Sequence, residues 1–331
     1  MATILNLRSL VLVFMAAASC LSAQSQEAFR PERAVRIVVP YGAGGSVDAQ
    51  ARLLAERLRV SFEQPVLVEN RAGASGMIGA SEVVRAKPDG YTLLLTNTAI
   101  VQAPLTSAAA KFNPLKDLVP IAQVSLPQVV FVIDASLPYK TLQEFTQAAR
   151  TAKPGFTYGS AGYGQSLHLF GVMLAKATGT DLTHIPYTGE AQIVNGMLGH
   201  QVQSGFLTTN AAAPHIKAGT LRPLAMLSST RWTKLPNLPT FAQAGVPGMD
   251  LVTFVGVFGP KELPATVTGS LNRQINAALK SGEIEQKFDT LDINPGQALS
   301  EREFANFLNG QYALWKDIVD REGIRVDDTR Q

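Results

Sequence analysis

The sequence is almost without cysteine: Cys20 is the single thiol in 331 residues. No intrachain disulfide can form, and no cluster of thiolates can hold a metal. Histidine is nearly as scarce. His168, His184, His200 and His215 are scattered and show no helical ligand pair, so no metal site is expected. Charged residues make up only 17% of the chain and balance to +3, which gives no electrostatic case for binding nucleic acid. Beyond the N-terminus, no apolar run is long enough to span a bilayer. Also missing are the Gly-Lys-Ser/Thr of a phosphate loop, the complete glycine pattern of a dinucleotide site and the Gly-x-Ser-x-Gly elbow of a serine hydrolase. No cofactor and no catalytic residue are therefore expected.

What is present begins with a short apolar run, residues 10–18, behind a lone Arg8 and followed by small residues to Ala23. That layout is a secretory signal peptide, residues 1–23, and it implies export to the periplasm. Lipid attachment at Cys20 within Ala18-Ser19-Cys20 is the alternative. Hydrophobic residues form 46% of the chain, enough to bury the core of one large or two medium domains.

From Val35 onward, apolar β-rich runs alternate with longer stretches of helical period, the pattern of an α/β protein with largely parallel sheets. The first unit is a strand at residues 35–40, the turn Tyr41-Gly42-Ala43-Gly44-Gly45-Ser46 and a helix with Ala51, Leu54, Ala55 and Leu58 on one face. A matching unit comes later: a strand at residues 156–159, the turn Ser160-Ala161-Gly162-Tyr163-Gly164-Gln165, and a helix from Ser166. Further strands are expected at residues 66–69, 91–95, 129–133, 184–187, 202–207, 221–227 and 251–258. Ser300-Glu301-Arg302-Glu303 reads as a capping box that opens a closing helix.

A glycine-rich turn between strand and helix lets the backbone approach a ligand and aims first-turn N–H groups outward, where the helix dipole favours an anion. Two such turns facing each other would grip one carboxylate from both sides. Neither contains lysine or arginine, so the grip would rest on N–H groups, hydroxyls and water. Asp48, close to the first turn, would repel an anion at short range and is read as a loop brace, as is His168 beside the second.

The stretch Val38-Val39-Pro40-Tyr41-Gly42-Ala43-Gly44-Gly45-Ser46-Val47-Asp48 resembles the signature loop of Bug-type (TctC-like) substrate-binding proteins of tripartite tricarboxylate transporters. Similar to the same family are Val68-Glu69-Asn70-Arg71-Ala72-Gly73, Pro88-Asp89-Gly90-Tyr91, Tyr158-Gly159-Ser160-Ala161-Gly162-Tyr163-Gly164, His184-Ile185-Pro186-Tyr187 and Leu235-Pro236-Asn237-Leu238-Pro239. The resemblance implies a two-lobed periplasmic binding fold of type II-like α/β architecture, with a ligand cleft between lobes and a hinge of two connecting strands, at residues 121–131 and 251–258. Residues 24–127 and 251–331 would form lobe 1, and residues 128–250 lobe 2. It also implies a monomer that is not an enzyme, closes on a small organic carboxylate and meets two membrane subunits of a transporter.

Carried onto this chain, the carboxylate site would be Tyr41, Ala43, Gly44 and Ser46 with Ser160 and Gly164, joined more weakly by Thr96 and Asn97. Selectivity would come from Tyr163, Gln165, Tyr187, Phe206 and Thr208, Tyr163 foremost, although each aromatic also suits plain core packing. Gln203 and Val172 stand where the family usually has carboxylates, and Phe254 where it has tryptophan. These departures predict a second lobe less acidic near the cleft and weigh against an amino-acid ligand. Two other functions remain open: a sensor presenting its closed form to a membrane signalling protein, and a secreted enzyme using Ser160 or His168.

Overall fold

Runs such as Val-Arg-Ile-Val-Val and Val-Val-Phe-Val-Ile-Asp are buried almost throughout, because each becomes a strand covered on both faces. The computed structural model describes residues 29–107 and 112–324. The expected signal peptide and Cys20 lie outside the described residues.

Strands β1 (Val35–Val39), β2 (Val66–Asn70), β3 (Thr92–Asn97) and β4 (Leu118–Ser125) belong to a first sheet. A second sheet holds β5 (Val129–Asp134), β6 (Phe156–Ser160), β7 (Leu182–Pro186), β8 (Ser204–Thr208) and β9 (Leu221–Leu227). The chain then returns to the first sheet as β10 (Val255–Pro260). The strand orders are β2-β1-β3-β10-β4 and β7-β6-β8-β5-β9. In each sheet the strand entered just after a crossing, β10 or β5, runs against the other four. The sheets are thus parallel with one reversed strand apiece, and together they form the two-lobed α/β architecture.

Residues 126–128 make the first crossing and interrupt the connecting strand expected at residues 121–131, which is divided between β4 and β5. The second differs from the expected strand at residues 251–258, which begins only at Val255. Before it, Phe254 N–H donates to Thr98 Oγ1 (2.8 Å) and Thr253 Oγ1 donates to Pro127 O (2.7 Å), so side-chain bonds replace a strand ladder there.

Helices α1 (Ser46–Phe62), α2 (Met77–Val84), α3 (Ala99–Thr106) and α4 (Pro114–Asp117) flank the first sheet. Around the second lie α5 (Leu142–Thr151), α6 (Ser166–Thr178), α7 (Glu190–Leu198) and α8 (Thr209–Lys217). The chain closes with α9 (Ala265–Leu279), α10 (Gly282–Thr290) and α11 (Glu301–Glu322). On α1 the periodic Ala51, Leu54, Ala55 and Leu58 are all buried. At α11 the Ser300 hydroxyl accepts from Glu303 N–H and Glu303 returns a bond to Ser300 N–H, completing the capping box. This last helix lies on α3 and β4 of lobe 1, yet its fully buried Trp315 meets Phe170 of α6 in lobe 2, ring centroids 6.0 Å apart. One helix therefore braces both lobes.

Because α1, α3, α6, α7 and α8 each follow a parallel strand directly, their N-termini sit at the carboxyl ends of the two sheets. A close contact fixes α6 on its sheet: a Cβ added at Gly171 would come within 2.0 Å of the Tyr158 ring. Gly171→Ala is predicted to destabilise the protein by about 1–3 kcal/mol, overpacking outweighing the gain of about 1 kcal/mol in helix propensity. Chemical denaturation measures it, and an unchanged or raised midpoint would contradict the packing.

Candidate functional site

The turn after β1 is tied in place from beneath. Asp48 is buried and accepts from Gly44 N–H (2.9 Å), Asn70 Nδ2 (2.9 Å), and Arg52 Nε and Nη2 (2.9 and 3.0 Å). Asn70 Nδ2 also donates to Tyr41 O (3.1 Å). Burial raises the Asp48 carboxyl, but the bonds from Arg52, Gly44 and Asn70 together hold it below the usual carboxylate range. Its charge is spent within lobe 1. Tyr41 leans over the turn, its hydroxyl donating to Asn97 Oδ1 (2.6 Å) beside Thr96 Oγ1 (3.1 Å), and burial pushes it up to about 12.

The second turn is braced by histidines. Gly164 N–H donates to His168 Nδ1 (3.1 Å), and Ser160 Oγ lies 2.6 Å from His184 Nε2. The imidazoles sit 4.3 Å apart between centroids, with the Tyr163 ring edge-on to both. Burial lowers His168 to about 4; burial, reinforced by the neighbouring His168, lowers His184 to about 3. Both are neutral at ordinary pH. The Ser160–His184 pair lacks the parts of a nucleophile: Ser160 is fully buried, and among the described residues His184 Nδ1 has no partner to orient it.

Between the lobes lies a cleft of about 870 Å³, its open mouth included. Of the residues expected at a ligand, Tyr41, Ala43, Ser46, Asn97, Gln165 and Thr208 line it, as does the brace Asp48. Seven others stand elsewhere, for physical reasons. Gly44 and Gly164 have already donated their N–H groups to Asp48 and His168. Thr96 and Ser160 are buried behind the wall. Tyr163 packs on the histidines and its carbonyl accepts from Ser75 Oγ (2.6 Å) of the opposite lobe. Tyr187 fills the space left by two glycines, a Cβ at Gly196 falling 2.3 Å from its hydroxyl. Phe206 is core, packed on Phe131, Phe170 and Phe241.

Not expected at the cleft were residues at the starts of α6 and α7, Ser166, Leu167, Glu190, Ala191 and Gln192, and the crossing segment with Thr253 and Phe254. Gly189-Glu190, a glycine followed by an acid opening a helix, was the signal available for α7. Glu190 also corrects the expectation of a second lobe less acidic at the cleft. Gln203 and Val172 do not line it: Gln203 Oε1 instead accepts from Thr157 N–H and Oγ1 (2.8 and 2.5 Å), whereas the Glu190 carboxylate does line it.

Five helices begin at this cleft, and none of their starts is capped by its own N-cap side chain. On α1, α6 and α7 the first-turn N–H groups of Ser46, Val47, Ser166, Leu167, Ala191 and Gln192 have no acceptor among the described residues. The lining contains no lysine, arginine or histidine. Across the gap, Ser46 Oγ donates to Asn210 Oδ1 (3.2 Å) and Ser166 Oγ to Gln102 Oε1 (2.8 Å), latching the lobes together.

The buried imidazoles make stability depend on pH. Their folded pKa values lie below the ordinary value of about 6.5, so unfolding takes up protons between that value and the folded ones. Stability should be full above about pH 6.5 and fall as the pH drops toward 4 for His168 and 3 for His184. His168→Asn is predicted to flatten this dependence by about 1.4 kcal/mol per pH unit. Denaturation midpoints between pH 4 and 7 test it, an unchanged slope being the contrary result.

Comparison with known proteins agrees with this architecture. Residues 50–324 match the family described as tripartite tricarboxylate transporter family receptor. Protein BugT of Bordetella pertussis is 32% identical over 327 residues, covering 97% of this chain and 98% of its own. The structure of periplasmic binding protein BugD superposes with a TM-score of 0.84 at 30% identity, over 89% of this chain and 99% of its own. R. palustris Rpa4515 with adipate gives the same TM-score, identity and coverage. A match over most of the chain, relatives of full length and a shared two-sheet fold lead to one conclusion: the chain belongs to the tripartite tricarboxylate transporter receptor family.

Proposed function

We propose that the protein is a periplasmic solute receptor that captures a small organic carboxylate between its lobes and hands it to the membrane subunits of a tripartite transporter. The observation that carries this reading is the convergence of helix N-termini on one cleft, with first-turn N–H groups left unpaired. Such donors, backed by helix dipoles, suit an anion, and the want of a cationic side chain keeps the hold reversible. On this reading Ala43, Ser46 and the Tyr41–Asn97 pair meet the carboxylate from lobe 1, while Gln165 and Thr208 face the solute from lobe 2. Closure would pivot about residues 126–128 and the segment before β10, with the Ser46–Asn210 and Ser166–Gln102 bonds as the latch. A solved structure of a relative with adipate supports the class of ligand.

A carboxylate that binds only the folded protein raises its unfolding temperature, contributing about 2.7 kcal/mol at a hundredfold excess over Kd. Thermal unfolding across a set of mono- and dicarboxylates should show a saturable rise with at least one; no rise with any would remove the reading. Asp48→Ala releases the first turn and is predicted to weaken that binding by about tenfold and to lower stability by about 2 kcal/mol. Calorimetric titration checks the first effect and denaturant unfolding the second.

A further inference from the structure

The cleft holds two carboxylates of its own, and their situations differ. Asp48 is neutralised by two bonds from Arg52. Glu190 is not: Thr208 N–H donates to its Oε1 (2.5 Å) and Thr208 Oγ1 lies 3.0 Å from its Oε2, but no cationic side chain among the described residues comes within 4.0 Å. Both oxygens thus accept, and the residue opens α7, where the dipole favours a negative side chain. The donors that meet the group are neutral. Burial meanwhile pushes its pKa up, the mark of a charge short of compensation.

A carboxyl closed into a cleft stays ionised only against a partner of opposite charge, because desolvating the charge unpaired is expensive. The lining offers none. A solute with two carboxylates would add like charge with no side-chain cation to offset it. A solute with one carboxylate and one ammonium would leave each end matched: the anion on the uncapped helix starts of α1 and α6, the cation on Glu190.

We propose that Glu190 is a specificity-determining residue that selects solutes carrying a cationic nitrogen in addition to their carboxylate, an amino-acid-like zwitterion. This rests on the reading of the cleft as a carboxylate site. Glu190 then accepts one or two N–H bonds from the solute, and Thr208 fixes its carboxylate plane through a backbone donor and a hydroxyl. The bond to Thr208 also joins the starts of α7 and α8, so a solute on Glu190 engages two helices of lobe 2 at once.

The test is calorimetric titration of the purified protein with three solutes of one length, adipate, 6-aminohexanoate and hexanoate, and with the shorter set succinate, 4-aminobutyrate and butyrate. In at least one set the amino acid should bind roughly tenfold or more tightly than both companions. Glu190→Gln, which keeps an acceptor for Thr208, should abolish that preference, weakening the amino acid by at least about tenfold and leaving the simple carboxylates equal or improved. Thermal unfolding confirms that the variant folds, and the ranking in the unaltered protein stands even if it does not. If adipate, succinate or a monocarboxylate binds best in both sets, or the preference survives Glu190→Gln, the role of Glu190 is overturned while the carboxylate reading stands. If no solute in either set binds, the carboxylate reading fails and this proposal with it.

Discussion

A backbone N–H in the first turn of a helix has no partner within that helix, and the arrangement of this protein follows from where those donors are left. In most proteins an N-cap side chain takes one of them. Here Gly45, Gln165 and Gly189 stand at the caps of α1, α6 and α7, and none caps its helix through a side chain. Parallel βα units bring those starts to the carboxyl ends of two sheets, and two chain crossings turn the sheets toward one cleft. The cleft presents backbone N–H donors, while its lining contains no lysine, arginine or histidine.

That constraint explains the effort spent beneath each turn. A loop that must present N–H groups cannot satisfy all of them itself, so its shape is held from outside: by Asp48 and Asn70 under the first turn and by His168 and His184 under the second. The two braces differ in chemistry. An ionised, Arg-paired aspartate holds the first; neutral imidazoles in tilted contact hold the second and bring no charge to the cleft. Glycines serve the same end by close approach, as where Gly171 lets Tyr158 lie flat under α6 and Gly196 admits the Tyr187 ring.

Much of the fold was legible beforehand because it is local. Alternation of β-branched runs with 3.6-residue periodicity marked the strands of both sheets except β4, and the capping box at Ser300 marked the start of α11 to the residue. The missed or shifted parts depend on contacts distant in sequence. β10 begins later than the apolar run suggests because Thr98, far away in the chain, takes the N–H of Phe254. Helix α5 escaped notice although Thr141 caps it and Phe145 anchors it, since a short amphipathic stretch reads equally well as a connection.

By itself the sequence determined the chemistry available: two glycine turns ahead of helices, no thiol beyond Cys20, no catalytic motif and no metal spacing. Periodicity also determined which face of each element would be buried. Only the tertiary structure decided what each face is buried against, because that is a choice among partners on other elements of the chain. Phe206 and Tyr163, both aromatic candidates for the cleft, became core and histidine cover, while Glu190, unremarked in the chain, became a carboxyl at the cleft without a cationic partner. The turns set outward N–H groups through backbone geometry that a few residues can specify, whereas the side chains that line the rest of the cleft are assembled from two sheets and several helix starts.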